Sequence, residues 1–136
     1  MLKARLIYLI LIFITVIAGL VSREMPASIV PLFIGDILWG LAVFLLMRFL
    51  FIHKSLAYIL ILSLAYAYAT EFSQLYKAPW INNLRSTFLG KALLGETFYW
   101  GDLASYTAGI GLGVLVELSL RTLIRSICIR NGLSKS

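Results

Sequence analysis

Six side chains stand out by type and spacing: Asp36, Glu71, Gln74, Arg85, Asp102 and Tyr106. Three are carboxylic acids, in a chain with six Asp and Glu in all. Glu71 and Gln74 are three residues apart and so share one face of a helix. Carboxylate and amide oxygens accept hydrogen bonds from hydroxyls or amines, and a guanidinium grips phosphate or carboxylate in a two-pronged fork. Together these are groups suited to holding a polar head group. Paired carboxylates can also serve as general acid and base on a glycosidic or phosphoester bond. That enzymatic reading turns on their separation, which the sequence does not contain.

Other chemistries are excluded. His53 is the single histidine, so no nucleophile–histidine pair exists on the side of these six residues and no zinc-ligand spacing occurs. No glycine-rich loop precedes a phosphate-binding lysine. No metal and no cofactor is called for. His53 adjoins Lys54 in a polar turn and reads as solvated. Cys128 has no partner for an internal disulfide; a lone juxtamembrane thiol can be acylated, though an inert role is the simpler account.

The elements that must position these groups follow from composition. The chain has 136 residues, 61% of them apolar, with a mean hydropathy of +0.95. Charged residues make up 13%, about half the quarter usual in soluble domains. A soluble fold of this size would expose far more apolar surface than water tolerates. Disordered and disulfide-rich secreted proteins are excluded by the same numbers. The fold class is therefore an all-α integral membrane protein, a single polytopic domain over 1–136. Four transmembrane helices are expected, at about 6–22, 36–52, 55–76 and 102–120, each close to the length that crosses about 30 Å of hydrocarbon.

Basic residues set the expected orientation. Eight (Lys3, Arg5, Arg48, Lys54, Arg121, Arg125, Arg130, Lys135) flank one side, and four (Arg23, Lys77, Arg85, Lys91) flank the other. The richer side reads as cytoplasmic, with both termini there, and its charge suits an anionic leaflet. Nucleic acid is not an expected partner, because no soluble domain carries a basic stripe. Lys3 and Arg5 before an apolar run, with Val16-Ile17-Ala18 beyond, also fit a signal peptide, but the run continues to Val21.

The two outer connections differ. Pro26 and Pro31 make 23–35 an extended or turning segment. The segment after Tyr76 is too long for a structureless loop, and Ile81, Leu84, Phe88 and Ala92 recur at helical spacing. One short amphipathic helix is expected in the outer interface, within about 80–98, beneath a belt of Tyr76, Trp80, Tyr99 and Trp100.

This layout sets Asp36 and Asp102 at outer helix starts, where a carboxylate can act as an N-cap. Glu71 lies about four turns into its helix from Ser55, too deep to cap, and a pair with Arg85 is its simplest structural account. In the last span Asp102, Tyr106, Gly109, Gly113 and Glu117 form one stripe. Ser105, Gly109 and Gly113 give the small-residue spacing that admits a neighbouring backbone. Glu117 precedes Arg121 by four residues and can pair with it; Arg48, near a span end, can snorkel.

The run Gly35-Asp36-Ile37-Leu38-Trp39, then Glu71-Phe72-Ser73-Gln74 through Pro79-Trp80, Arg85, and Asp102-Leu103 with Tyr106 and Gly109 resembles the bacterial membrane-protein family of unknown function 2809. That family is similar to the VanZ-like proteins, whose Glu-x-x-Gln, Arg and Asp-Leu order is met by Glu71, Gln74, Arg85 and Asp102. The resemblance implies a role in the bacterial cell envelope, at the cytoplasmic membrane. Where VanZ-like proteins carry a Lys and a His after the first Asp, this chain has Ile37 and Trp39, and their last-helix Asn is Tyr106 here. Without that His, the group best suited to proton transfer is missing. The first expectation is a binder of membrane lipid or a lipid-linked precursor through the six residues. A membrane-protein partner on the Gly109/Gly113 face and a carboxylate enzyme are the alternatives.

Overall fold

The computed structural model describes residues 2–95 and 97–130. The side chains of Lys3, Arg125, Cys128 and Arg130, and all of Lys135, lie outside the described set. Regular structure among the described residues is entirely helical: α1 Leu2–Glu24, α2 Leu32–Leu50, α3 Leu56–Ser73, α4 Pro79–Arg85, α5 Phe88–Leu94 and α6 Trp100–Arg130. Four of these helices, α1, α2, α3 and α6, are long and apolar enough to cross a membrane. This is the build of a multi-pass membrane protein.

The core is shared by three helices. Phe44 and Leu45 of α2, Ile59 and Ala67 of α3, and Tyr106 and Ile110 of α6 are buried against one another. Among the long helices α1 packs only on α2, so most of its apolar side chains face outward. In lipid that exposure costs nothing, because the hydrocarbon is as apolar as the side chains. Close packing comes instead from residues without side chains. A Cβ on Gly40 would lie 2.5 Å from the Tyr106 carbonyl oxygen, and Gly109 faces the Ile37 carbonyl. Gly113 receives the Phe44 ring. The glycines of α2 and α6 therefore let the two backbones touch at the level of Tyr106.

The helix ends differ from the sequence expectation in instructive ways. α2 starts at Leu32 rather than Asp36, because Pro31 (φ −57°, ψ 141°) makes the entry and leaves an apolar first turn. Asp36 is thus inside the helix and caps nothing. α3 stops at Ser73, and its C-terminal end tightens into successive i→i+3 bonds from Gln74, Leu75 and Tyr76. The outer segment forms two seven-residue helices, not one. Between them Ser86 and Thr87 hydroxyls donate to the Asn83 and Leu84 carbonyls, and Thr87 turns extended to accept from the Gly90 amide. Such local bonds compete with the helical ladder, although the apolar periodicity runs straight across the break. Gly95, at φ 67°, closes α5 in a conformation that disfavours side chains. α6 extends past 120 to Arg130.

Candidate functional site

The end of α1, the start of α2, the end of α3 and the start of α6 meet at one end of the bundle. Arg23 of α1 donates from Nη2 to Asp36 Oδ1 at 3.1 Å. Gly35 leaves the space that the Arg23 stem and the Ser22 hydroxyl occupy. This cross-link replaces the capping role expected of Asp36. It joins two helices, so no spacing within either helix reveals it. The usable signal was an arginine in the last turn of one span and an acid near the start of the next.

Glu71 is wholly buried. Its Oε1 accepts from Gln74 Nε2 at 3.3 Å, whereas Oε2 has no well-directed hydrogen bond. Tyr106 and the Tyr99 backbone face the same carboxylate, and Asp36 lies within electrostatic reach of it. Asp102, in the first turn of α6, feels both Asp36 and Glu71. Asp36, Glu71, Asp102 and Tyr106 therefore form one cluster drawn from three helices. Gln74, 2% exposed, also donates to the Leu94 carbonyl at 3.1 Å and so ties α3 to the end of α5. Any side chain at Gly95 would collide with the Gln74 amide.

Arg85 does something else. It is 5% exposed, yet it makes no ion pair with Glu71. Its guanidinium donates to the Ser73 carbonyl at 2.5 Å, the Tyr76 carbonyl at 2.9 Å and Asn82 Oδ1 at 3.3 Å. Arg85 is the C-terminal cap of α3, satisfying carbonyls that the ending helix leaves open. Removing it with Arg85→Met should cost about 1.5–3 kcal/mol, the scale of hydrogen bonds to a charged group. Because Glu71 is not its partner, adding Glu71→Gln should not rescue it. Thermal unfolding of the two single variants and the double variant in detergent measures this; recovery in the double variant would restore the ion-pair account.

A cavity of about 200 Å³ opens beside the cluster, between α1, α2 and α5. Leu20, Leu38, Ala42 and Phe88 give it a mostly apolar lining. Arg23 and Lys91 stand at its polar part, and Thr70 and Tyr106 form its inner wall. Tyr106 is thus the side chain shared by cavity and cluster, 6% exposed. Of the six residues singled out in the sequence, Asp36, Glu71, Asp102 and Tyr106 converge, Gln74 supports Glu71, and Arg85 stands apart. Among the described residues no three of His, Cys, Asp or Glu converge closely enough to ligate one metal ion.

Ser105, Gly109 and Gly113 do not line this site. Gly109 and Gly113 are filled by α2, and the Ser105 hydroxyl donates to the Gly101 carbonyl of its own helix. At the opposite end Glu117, 1% exposed, pairs with Arg121 and also with Arg48 Nη2 at 2.6 Å. Arg48 does not snorkel. It is buried, and its Nη1 donates to the Lys54 carbonyl at 2.6 Å. The missed signal was depth, since Arg48 and Glu117 both lie near the same end of their expected spans, 36–52 and 102–120.

The chain matches, over residues 25–110, the family described as proteins of unknown function, DUF2809. It belongs to the DUF2809 family. The matched region contains all six residues of the sequence set, from Asp36 to Tyr106, and ends before Gly113 and Glu117. The match takes in α2 to α5 and the start of α6, and it leaves out α1 with Arg23. No solved structure matches the chain.

Proposed function

We propose that this DUF2809 protein binds the head group of a membrane lipid, or of a lipid-linked envelope precursor, at the end of the bundle that holds Asp36. One observation carries the reading: the cavity is apolar along α1 and α2, and its inner wall is Tyr106, which backs onto buried Glu71. An acyl chain suits the apolar part, and a polar head suits the end with Arg23, Lys91 and Tyr106. Because α1 packs only on α2, the gap beside it faces the lipid phase, from which such a ligand would arrive. In this reading the chain crosses a bacterial cytoplasmic membrane four times, with both termini inside and the site outward. The role is the VanZ-like one, in the cell envelope. No reaction is part of the proposal. An assembly role on the Gly109/Gly113 face has no support, since α2 occupies that face.

Native mass spectrometry of the protein released from mild detergent tests the reading. A bound lipid at about one per chain is the expected result. Ala92→Trp places a bulky ring in the cavity from an exposed position on α5. It should lower lipid occupancy several-fold, on the scale at which lost apolar burial and steric exclusion act, and leave thermal stability unchanged. Occupancy equal in wild type and Ala92→Trp, or no lipid in either, would remove the proposal. Impermeant labelling of a cysteine placed at Asn83 tests the orientation, and labelling only after lysis would move the site to the cytoplasm.

A further inference from the structure

The charges that line the cavity are of one sign. Among the described residues its lining includes the Arg23 guanidinium and the Lys91 ammonium, and no carboxylate. The two come from different elements, the last turn of α1 and the last turn of α5. The Arg23 side chain is 56% exposed, and its bond to Asp36 uses one of five N–H donors. Asp36 offsets one of the two positive charges, so this end of the cavity suits an anion of single charge. An ammonium finds no carboxylate on the lining, since Glu71 is wholly buried behind Tyr106, whose hydroxyl faces it.

Away from the two cations the lining offers little to a polar group. The Thr15 hydroxyl donates to the Leu11 carbonyl and the Thr70 hydroxyl to the Tyr66 carbonyl, each within its own helix. Val16, Leu20, Leu38 and Ala42 present alkyl groups along the same wall. Thr15 lies eight residues before Arg23 on α1, about 12 Å at 1.5 Å per residue. A soluble anion would use only the cationic end; an anion that carries a chain uses both.

Resting on the lipid-binding reading above, we infer that the ligand is an anionic glycerophospholipid whose head group has no cation of its own. Its phosphodiester lies between Arg23 and Lys91, and an acyl chain follows α1 toward Thr15. A zwitterionic head group would carry its ammonium into the field of the same two cations, and like charges brought together cost affinity.

The full chain in mild detergent is offered equimolar phosphatidylglycerol, phosphatidylethanolamine and phosphatidylcholine, and bound species are weighed by native mass spectrometry. Phosphatidylglycerol should be retained about tenfold over the other two, the worth of one hydrogen bond to a charged group. Lys91→Gln, at an exposed position, should bring the three close to parity without changing thermal stability; full preference in that variant would overturn the site. Lys77→Gln removes an equal charge from an exposed position off the cavity lining and should leave the preference intact. An equal loss in Lys77→Gln would make the preference a property of surface charge at large and overturn the site. If Lys91→Gln does not fold, the wild-type and Lys77→Gln profiles decide. Glycerophosphoglycerol, the same head group without chains, should compete about a hundredfold more weakly than the lipid; competition at parity would overturn the place of the chain. Equal retention of the three lipids by the wild type overturns the anionic head group and leaves lipid binding standing. No retention of any lipid overturns both.

Discussion

Gly109→Ala should abolish the monodisperse folded protein. The added Cβ would meet the Ile37 carbonyl, with Ile37 C at 2.9 Å and Leu41 N at 2.8 Å. All three are backbone atoms, so no rotamer change relieves the contact. α2 and α6 would have to separate, and Phe44 and Ile110, both wholly buried, would lose their packing. Overpacking a core costs about 1–3 kcal/mol where side chains can yield, and a backbone collision lies at or beyond the upper end. Gly111, two residues on, has nothing within 4 Å of its own Cβ position. Gly111→Ala should therefore be neutral or stabilise by about 0.5–1 kcal/mol, from helix propensity alone. Size-exclusion profiles after graded heating in detergent compare the two. Equal behaviour would mean that the helices do not touch at Gly109.

The second large effect belongs to Glu117. Glu117→Gln should destabilise by about 3–5 kcal/mol, because it leaves the buried Arg48 guanidinium without its counter-charge. Arg121 pairs with the same carboxylate, but its side chain is half exposed, so Arg121→Met should cost no more than about 1 kcal/mol. Replacing both buried partners, Arg48→Met with Glu117→Met, should recover most of the loss, since the charges are then removed together. A chain in lipid makes this sharper, as an unpaired charge has no water to turn to. Thermal unfolding of the three variants settles the order. A mild Glu117→Gln beside a severe Arg121→Met would mean that the carboxylate faces outward and Arg48 is held by the Lys54 carbonyl alone.

Both predictions concern groups whose partners lie on another helix; Gly109 was legible as a packing glycine, whereas ion pairs between helices were not. Glu117 and Arg121 were legible as a pair because four residues on one helix bring them together whatever the fold. Arg48 was not, because its burial depends on α2 and α6 being neighbours. The same holds at the other end. Asp36 near the start of a span suggested a cap, but Pro31 moved that start four residues earlier, and Arg23 of α1 took the carboxylate. Arg85 carries a charge, and charge invited a charged partner; the structure offers it the carbonyls of an ending helix.

The sequence by itself determined the class of the molecule and its principal helices. Those depend on runs of apolar residues long enough to span hydrocarbon, a property local to each stretch and indifferent to its neighbours. It also placed Asp36, Glu71, Asp102 and Tyr106 near one end, since span boundaries set depth. Only the tertiary structure decided which of them meet. A carboxylate's partner depends on rotation of its helix about its own axis and on which helix lies alongside, and here both were set by glycines on α2 and α6 that lock the two backbones together. The cavity beside Tyr106 has the same origin: it exists because α1 packs on α2 alone, a choice of neighbours that no single apolar run encodes.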